Sequence, residues 1–193
     1  MTIEEISKTL QSKKVGIAGC GGLGSNCAVA LARTGLHSLL LVDYDVITVD
    51  NLNRQYYFLD QVGMKKVNAL RENILRINPG LNIVVSDCKL ESADVPLLFS
   101  GCDVVVEAFD LADQKMMLIE TMLEFLPHIP VVSGNGMAGW GRTNILSSKK
   151  IDNLYICGDG ISEVGPGMPP IAPRVGIVAH MQANTVLEIL LNS

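Results

Sequence analysis

The chain has 193 residues, 48% of them hydrophobic, with 15 Lys and Arg against 20 Asp and Glu and a formal net charge of −5. That length matches one domain able to bury a substantial core. The acidic balance leaves no basic footprint for nucleic acid, and no apolar run approaches the roughly 18 residues of a membrane span, so neither nucleic acid nor membrane is expected as a partner.

In chain order, Ile3, Ile6 and Leu10 mark a short amphipathic helix. The first eleven residues carry Glu4 and Glu5 and no apolar signal core, so a cytoplasmic location is expected. Residues 15–18 read as a buried strand, 26–34 as a helix with Cys27, Ala30 and Leu31 on its apolar face, and 38–42 as a second apolar strand. A helix over 65–77 is stopped by Asn78-Pro79-Gly80. Strands are expected over 81–86, 103–107 and 129–133, with a helix at 114–125 between the last two. Residues 143–147 read as an antiparallel addition, 158–173 as a Gly/Pro-rich loop and 175–191 as a final helix. Strand and helix alternate without repeat or linker. The expected fold is therefore α/β, one domain over 1–193 with a Rossmann-like, doubly wound, mostly parallel sheet and helices on both faces.

Two motifs carry chemistry. Gly19, Gly21 and Gly24 satisfy G-x-G-x-x-G between the first strand and its helix, a pattern that makes a tight turn, admits a ligand to the backbone and lets helix lie on strand. Free N–H groups at the helix start then form an anion site. Asp43 ends the second strand 19 residues beyond Gly24, the spacing of a carboxylate that meets ribose hydroxyls. Behind it, Asn51-Leu52-Asn53-Arg54-Gln55 packs an arginine fork and amide donors suited to phosphate into one short stretch. A polar surface loop with a solvated arginine and a capping Asn is the plainer reading of those residues.

Asp-x-Asp followed by Asn-Leu-Asn-Arg-Gln resembles the ThiF/MoeB/HesA family, relatives of ubiquitin-activating enzymes, from about Lys13 onward. The likeness is nearest to the shorter, zinc-free ThiF-type adenylyltransferases of thiamine synthesis. It implies ATP-dependent adenylation of the C-terminal carboxylate of a small ubiquitin-like sulfur carrier ending in Gly-Gly, with acyl-adenylate and pyrophosphate as products. Cofactor-binding residues are then Gly19, Gly21, Gly22, Gly24, Asp43, Asn51, Arg54, Gln55 and Lys66. Arg54, Lys66 and Asp110 carry the catalytic charge, Asp110 holding magnesium with ATP; its other reading is an N-cap for the following helix. Lys66 matches the family's G-x-x-K in Gly63-Met64-Lys65-Lys66. The family's Asn and Arg after this Asp are Leu111 and Lys115 here, so no role passes to those two positions.

The resemblance also implies a homodimer whose sites are completed by an N-terminal arginine of the partner. Residues 1–14 hold Lys8, Lys13 and Lys14 but no arginine, so Lys8 is the expected substitute. The five cysteines, at 20, 27, 88, 102 and 157, include no C-x-x-C pair, and neither zinc nor disulfides are expected. Cys157 reads as a structural thiol, with sulfur transfer as the alternative. Trp140, in a glycine-rich turn, reads first as a packed residue and second as a contact for the carrier's tail. Two rival functions are an NAD-dependent oxidoreductase and a non-catalytic partner subunit that binds a ubiquitin-like protein.

Overall fold

The computed structural model describes residues 1–192. Helix α1 (Ile3–Leu10) starts at a reciprocal cap: the Thr2 hydroxyl accepts the Glu5 amide at 3.2 Å while the Glu5 carboxylate accepts the Thr2 amide at 2.7 Å. It leads into β1 (Lys14–Ala18), α2 (Gly22–Ala32), β2 (Ser38–Val42), α3 (Lys66–Leu75) and β3 (Asn82–Ser86). Helix α4 (Asp94–Phe99), β4 (Val104–Glu107), α5 (Ala112–Phe125) and β5 (Val131–Gly134) follow. The chain closes with the hairpin β6 (Ser147–Ile151) and β7 (Leu154–Gly158) and the long helix α6 (Ala172–Asn192).

Among the described residues one sheet holds seven strands in the order β3-β2-β1-β4-β5-β7-β6, and only the β6–β7 pair is antiparallel. Strands buried on both faces read as unbroken apolar runs, and their period of two divides them between two cores. Leu39 and Leu41 enter one core with α2, α3 and α6, while Leu40 and Val42 enter the other with α4 and α5. The strand order reverses beside β1, whose neighbours are β2 and β4. A crevice for ligands opens at the carboxyl ends of such strands.

The structure differs from the sequence expectations at several places. Helix α2 begins at Gly22 and not at residue 26, so the glycine turn is the start of the helix itself. Residues 143–146 are not a strand: Thr143–Ile145 is a 3-10 turn, entered through Arg142 at φ 50°, and the antiparallel strand starts only at Ser147. The antiparallel strand is β6, every residue of which is exposed at the sheet edge, so it carries no apolar alternation to read. Asp152, at φ 51°, makes the turn into β7, and Asp tolerates that left-handed conformation. Helix α4 is short and holds Pro96 in its first turn, where no N–H is needed.

Candidate functional site

At the end of β1 the chain turns through Gly19 at φ 95° and enters α2. A β-carbon at Gly24 would stand 1.8 Å from the Gly19 carbonyl oxygen, so only glycine lets the helix lie this close to its own turn. Gly22 is tight against α6, where an added carbon would come within 2.9 Å of Val175. Gly21 has no neighbour that near, which leaves its backbone open to a ligand.

Asp43 is built into this turn. One carboxylate oxygen accepts the Cys20 amide at 2.6 Å and the other the Asp45 amide at 2.8 Å. A carboxylate has about four lone-pair sites, so capacity remains for a ligand's hydroxyls. Beneath the turn, the Tyr57 hydroxyl donates to the Cys20 carbonyl at 2.7 Å. Burial, with Asp43 adding to it and Lys66 opposing, pushes the Cys20 thiol well above its ordinary range, so it stays protonated.

A cavity of about 610 Å³ opens over these groups. Gly19, Gly21, Gly22, Asp43, Arg54, Gln55, Lys66 and Asp110 all line it. Lys66, the first residue of α3, is buried, and its ammonium lies 2.6 Å from the half-exposed carboxylate of Asp45. Arg54 donates to the Asp50 carbonyl at 3.4 Å and to Asn53 at 2.8 Å, leaving part of its fork free. The buried side-chain oxygen of Gln55 accepts no hydrogen bond from the described residues. Asp110 is exposed and forms no ion pair among the described residues; α5 has no side-chain cap, so the N-cap reading of Asp110 does not hold.

Three sequence-selected residues sit elsewhere. Gly24 packs the turn and does not line the cavity. Asn51 also lies outside the lining; its side chain accepts the Thr48 amide at 3.0 Å and closes a 3-10 turn that presents Arg54. Trp140 is 69% exposed, which corrects the packed reading: the glycines around it hold it at the surface.

In and behind the cavity wall are groups that the sequence did not single out. Asp45 was visible as the second acid of Asp-x-Asp, but its pairing with Lys66 needed the fold. Glu107, fully buried at the end of β4, accepts the Lys115 ammonium, the Ser133 hydroxyl at 2.6 Å and the Phe109 amide at 2.8 Å. Lys115 also donates to the Gly134 carbonyl at 3.0 Å and reaches the cavity wall. A polar residue closing a run of valines was the available signal for Glu107. Cys157 is buried; burial raises its thiol, against its side-chain hydrogen bonds with Thr185 and Ser148, as suits a structural thiol. A second depression, about 630 Å³ along α6 beside Ser148, is shallow and mainly apolar, and no Lys or Arg lines it.

The profile described as the ThiF family matches residues 2–193. The chain belongs to the ThiF family. It is 31% identical over 190 residues to the adenylyltransferase and sulfurtransferase MOCS3 of Caenorhabditis briggsae, covering 94% of this chain and 46% of that relative. It is 28% identical over 190 residues to the molybdopterin-synthase adenylyltransferase of Escherichia coli K12, covering 95% of this chain and 75% of that one. This ThiF-family chain thus spans less than half the length of the first relative. Among solved structures, E. coli tRNA N6-threonylcarbamoyladenosine dehydratase TcdA in complex with ATP superposes with a TM-score of 0.88 at 23% identity, covering 98% of this chain and 90% of that one. E. coli MccB gives a TM-score of 0.73 at 23% identity, with 96% and 58% coverage. Those likenesses show that the ThiF-family chain shares their fold. No described helix is long and apolar enough to cross a membrane.

Proposed function

We propose that this chain, acting as one domain over 1–193, uses ATP to adenylate the C-terminal carboxylate of a small ubiquitin-like sulfur carrier ending in Gly-Gly. The observation that carries the reading is the single cavity gathering a glycine turn, a ribose-type carboxylate, Arg54, Gln55, Lys66 and an Asp110 with no ion pair among the described residues. The relatives' names, which include molybdopterin-synthase adenylyltransferase, support the same class of reaction. A ThiS-like carrier and a place in thiamine synthesis are the finer form of the proposal, resting on the sequence resemblance.

Joining a carboxylate to the α-phosphate of ATP brings two anions together, so the protein's task is neutralisation and alignment. Asp43 would accept the ribose hydroxyls while its amide bonds keep the turn in place. Free α2 amides would meet the phosphates. Arg54 would offer a planar fork, and Lys66, its packing fixed by burial, a point charge. Half a turn of the Gln55 amide would exchange its unsatisfied oxygen for a donor. Asp110 would hold magnesium, which supplies charge neutralisation at the phosphates. The carrier's own carboxylate is the attacking oxygen, so no side chain need act as nucleophile. The proposal includes a homodimer in which Lys8 of a second copy adds a cation.

Ligand choice tests this reading against an NAD enzyme. ATP with magnesium should raise the melting temperature by several degrees and NAD should not. Stabilisation by NAD alone would overturn the proposal.

A further inference from the structure

Two loops form part of the cavity wall and contribute no cation to it. Residues 135–142 follow β5 and residues 159–171 follow β7; Gly136, Met137, Ser162, Glu163, Val164 and Pro170 from them line the cavity. None of these six is basic, whereas Arg54, Lys66 and Lys115 come from other elements. Polyphosphate therefore belongs against the elements that supply the cations, and the loop wall is left for the acceptor. Both loops carry exposed apolar side chains, with Trp140 69%, Ile161 74% and Val164 61% exposed.

The loops are joined by backbone bonds from Gly139 to Pro169 at 2.9 Å and from Asp159 to Gly136 at 3.1 Å. One buried side chain grips both. Arg174, in the first turn of α6, donates to the Gly141 carbonyl of one loop and, at 2.6 Å, to the Asp159 carboxylate of the other. Asp159 in turn accepts the Ile161 and Ser162 amides at 2.9 and 2.8 Å. The side chains of the pair are 3% and 2% exposed. The Arg174 Nε is buried and has no acceptor among the described residues, so the fork is committed to the two loops. Packed apolar residues would stabilise such a site as well as an ion pair, but they lack the directional fork that fixes two loops in one relation.

We propose that Arg174 and Asp159 are positioning residues for the acceptor, holding the two loops as one body so that the path of an extended peptide end to the cavity keeps its shape. The proposal rests on the adenylation reading. Neither residue lines the cavity. The pair therefore acts through the loops, on the carrier and not on the nucleotide.

Carrier-dependent exchange of labelled pyrophosphate into ATP tests it, run with a ubiquitin-like protein ending in Gly-Gly. Asp159→Asn should raise the KM for the carrier roughly tenfold while kcat and the KM for ATP stay within about twofold. Arg174→Lys, which keeps the charge and loses the fork, should fall between it and wild type, and it decides the matter if Asp159→Asn does not fold. Equal rises for ATP and carrier, or an unchanged carrier KM, would overturn the proposal. Amide hydrogen exchange gives the second readout: residues 135–142 and 159–171 should lose protection together while residues 19–24 keep theirs. If wild type supports no exchange with any carrier, the adenylation reading fails on its own account; unchanged loop protection would still refute the pair's role.

Discussion

The ammonium of Lys66 stands 2.6 Å from the carboxylate of Asp45, with the lysine 7% exposed and the aspartate 47%. The lysine is thus held inside the cavity wall by a partner that water can solvate alone. Lys66→Met keeps the buried stem and removes only the charge. It should weaken ATP binding by about tenfold, measured by titration calorimetry, with a stability loss of less than about 1 kcal/mol. ATP affinity equal to wild type would remove Lys66 from the site.

Gly24 and Gly63 should respond differently to alanine. At Gly24 the new carbon would strike the Gly19 carbonyl at 1.8 Å, so turn and helix must part, costing about 2–3 kcal/mol in urea denaturation along with loss of ATP binding. Gly63 has open space but sits at φ 90°, so Gly63→Ala should cost about 1–2 kcal/mol and leave ATP binding intact. Matching losses of ATP binding would show that contact at Gly24 is not what shapes the turn.

Much of this arrangement was legible in the sequence, for identifiable reasons. Strands β1, β2 and β4 are buried on both faces, so their apolar runs stand out, and the glycine turn and Asp43 are tied together by spacing along one β-α-β unit. Contacts between distant elements were not legible. Glu107 meets Lys115 across a strand-to-helix junction, and Arg174 meets Asp159 and Gly141 only because β7 returns beside β5. Edge strand β6 shows no pattern because none of its residues is buried. Asn51 had the composition of a phosphate ligand, yet its side chain is spent on the Thr48 amide. Trp140 carried the average preference of tryptophan for packing, which the glycine-rich turn overrides.

Asp43→Ala and Arg54→Ala should separate kinetically. A ribose contact serves substrate and transition state alike, so Asp43→Ala should raise the KM for ATP about tenfold with a smaller change in kcat. It should also cost about 2 kcal/mol of stability, because the Cys20 and Asp45 amides lose a charged acceptor. Arg54→Ala should lower kcat by about a hundredfold. Equal losses of kcat in both variants would contradict the division of roles.

Acid should loosen the two-loop wall before the rest of the fold. Burial works to raise the Asp159 carboxyl, but the Ser162 and Ile161 amides, the Ser162 hydroxyl and Arg174 outweigh it and hold the pKa at about 2. A depressed folded-state pKa contributes stability that is complete above about 4 and lost as pH falls toward 2. Fluorescence of Trp140, the only tryptophan, should therefore change between about pH 4 and pH 2, and Asp159→Asn should remove that transition. The same transition in the variant would assign it to another group.

The most direct test of adenylation is exchange of labelled pyrophosphate into ATP with wild type and Asp110→Ala. Asp110 is exposed, forms no ion pair among the described residues and caps no helix, so its loss should leave the melting temperature unchanged. Wild type should exchange only when magnesium and a carrier ending in Gly-Gly are both present, and Asp110→Ala should reduce the rate at least about a hundredfold. Robust exchange without carrier, or full activity in Asp110→Ala, would contradict the account.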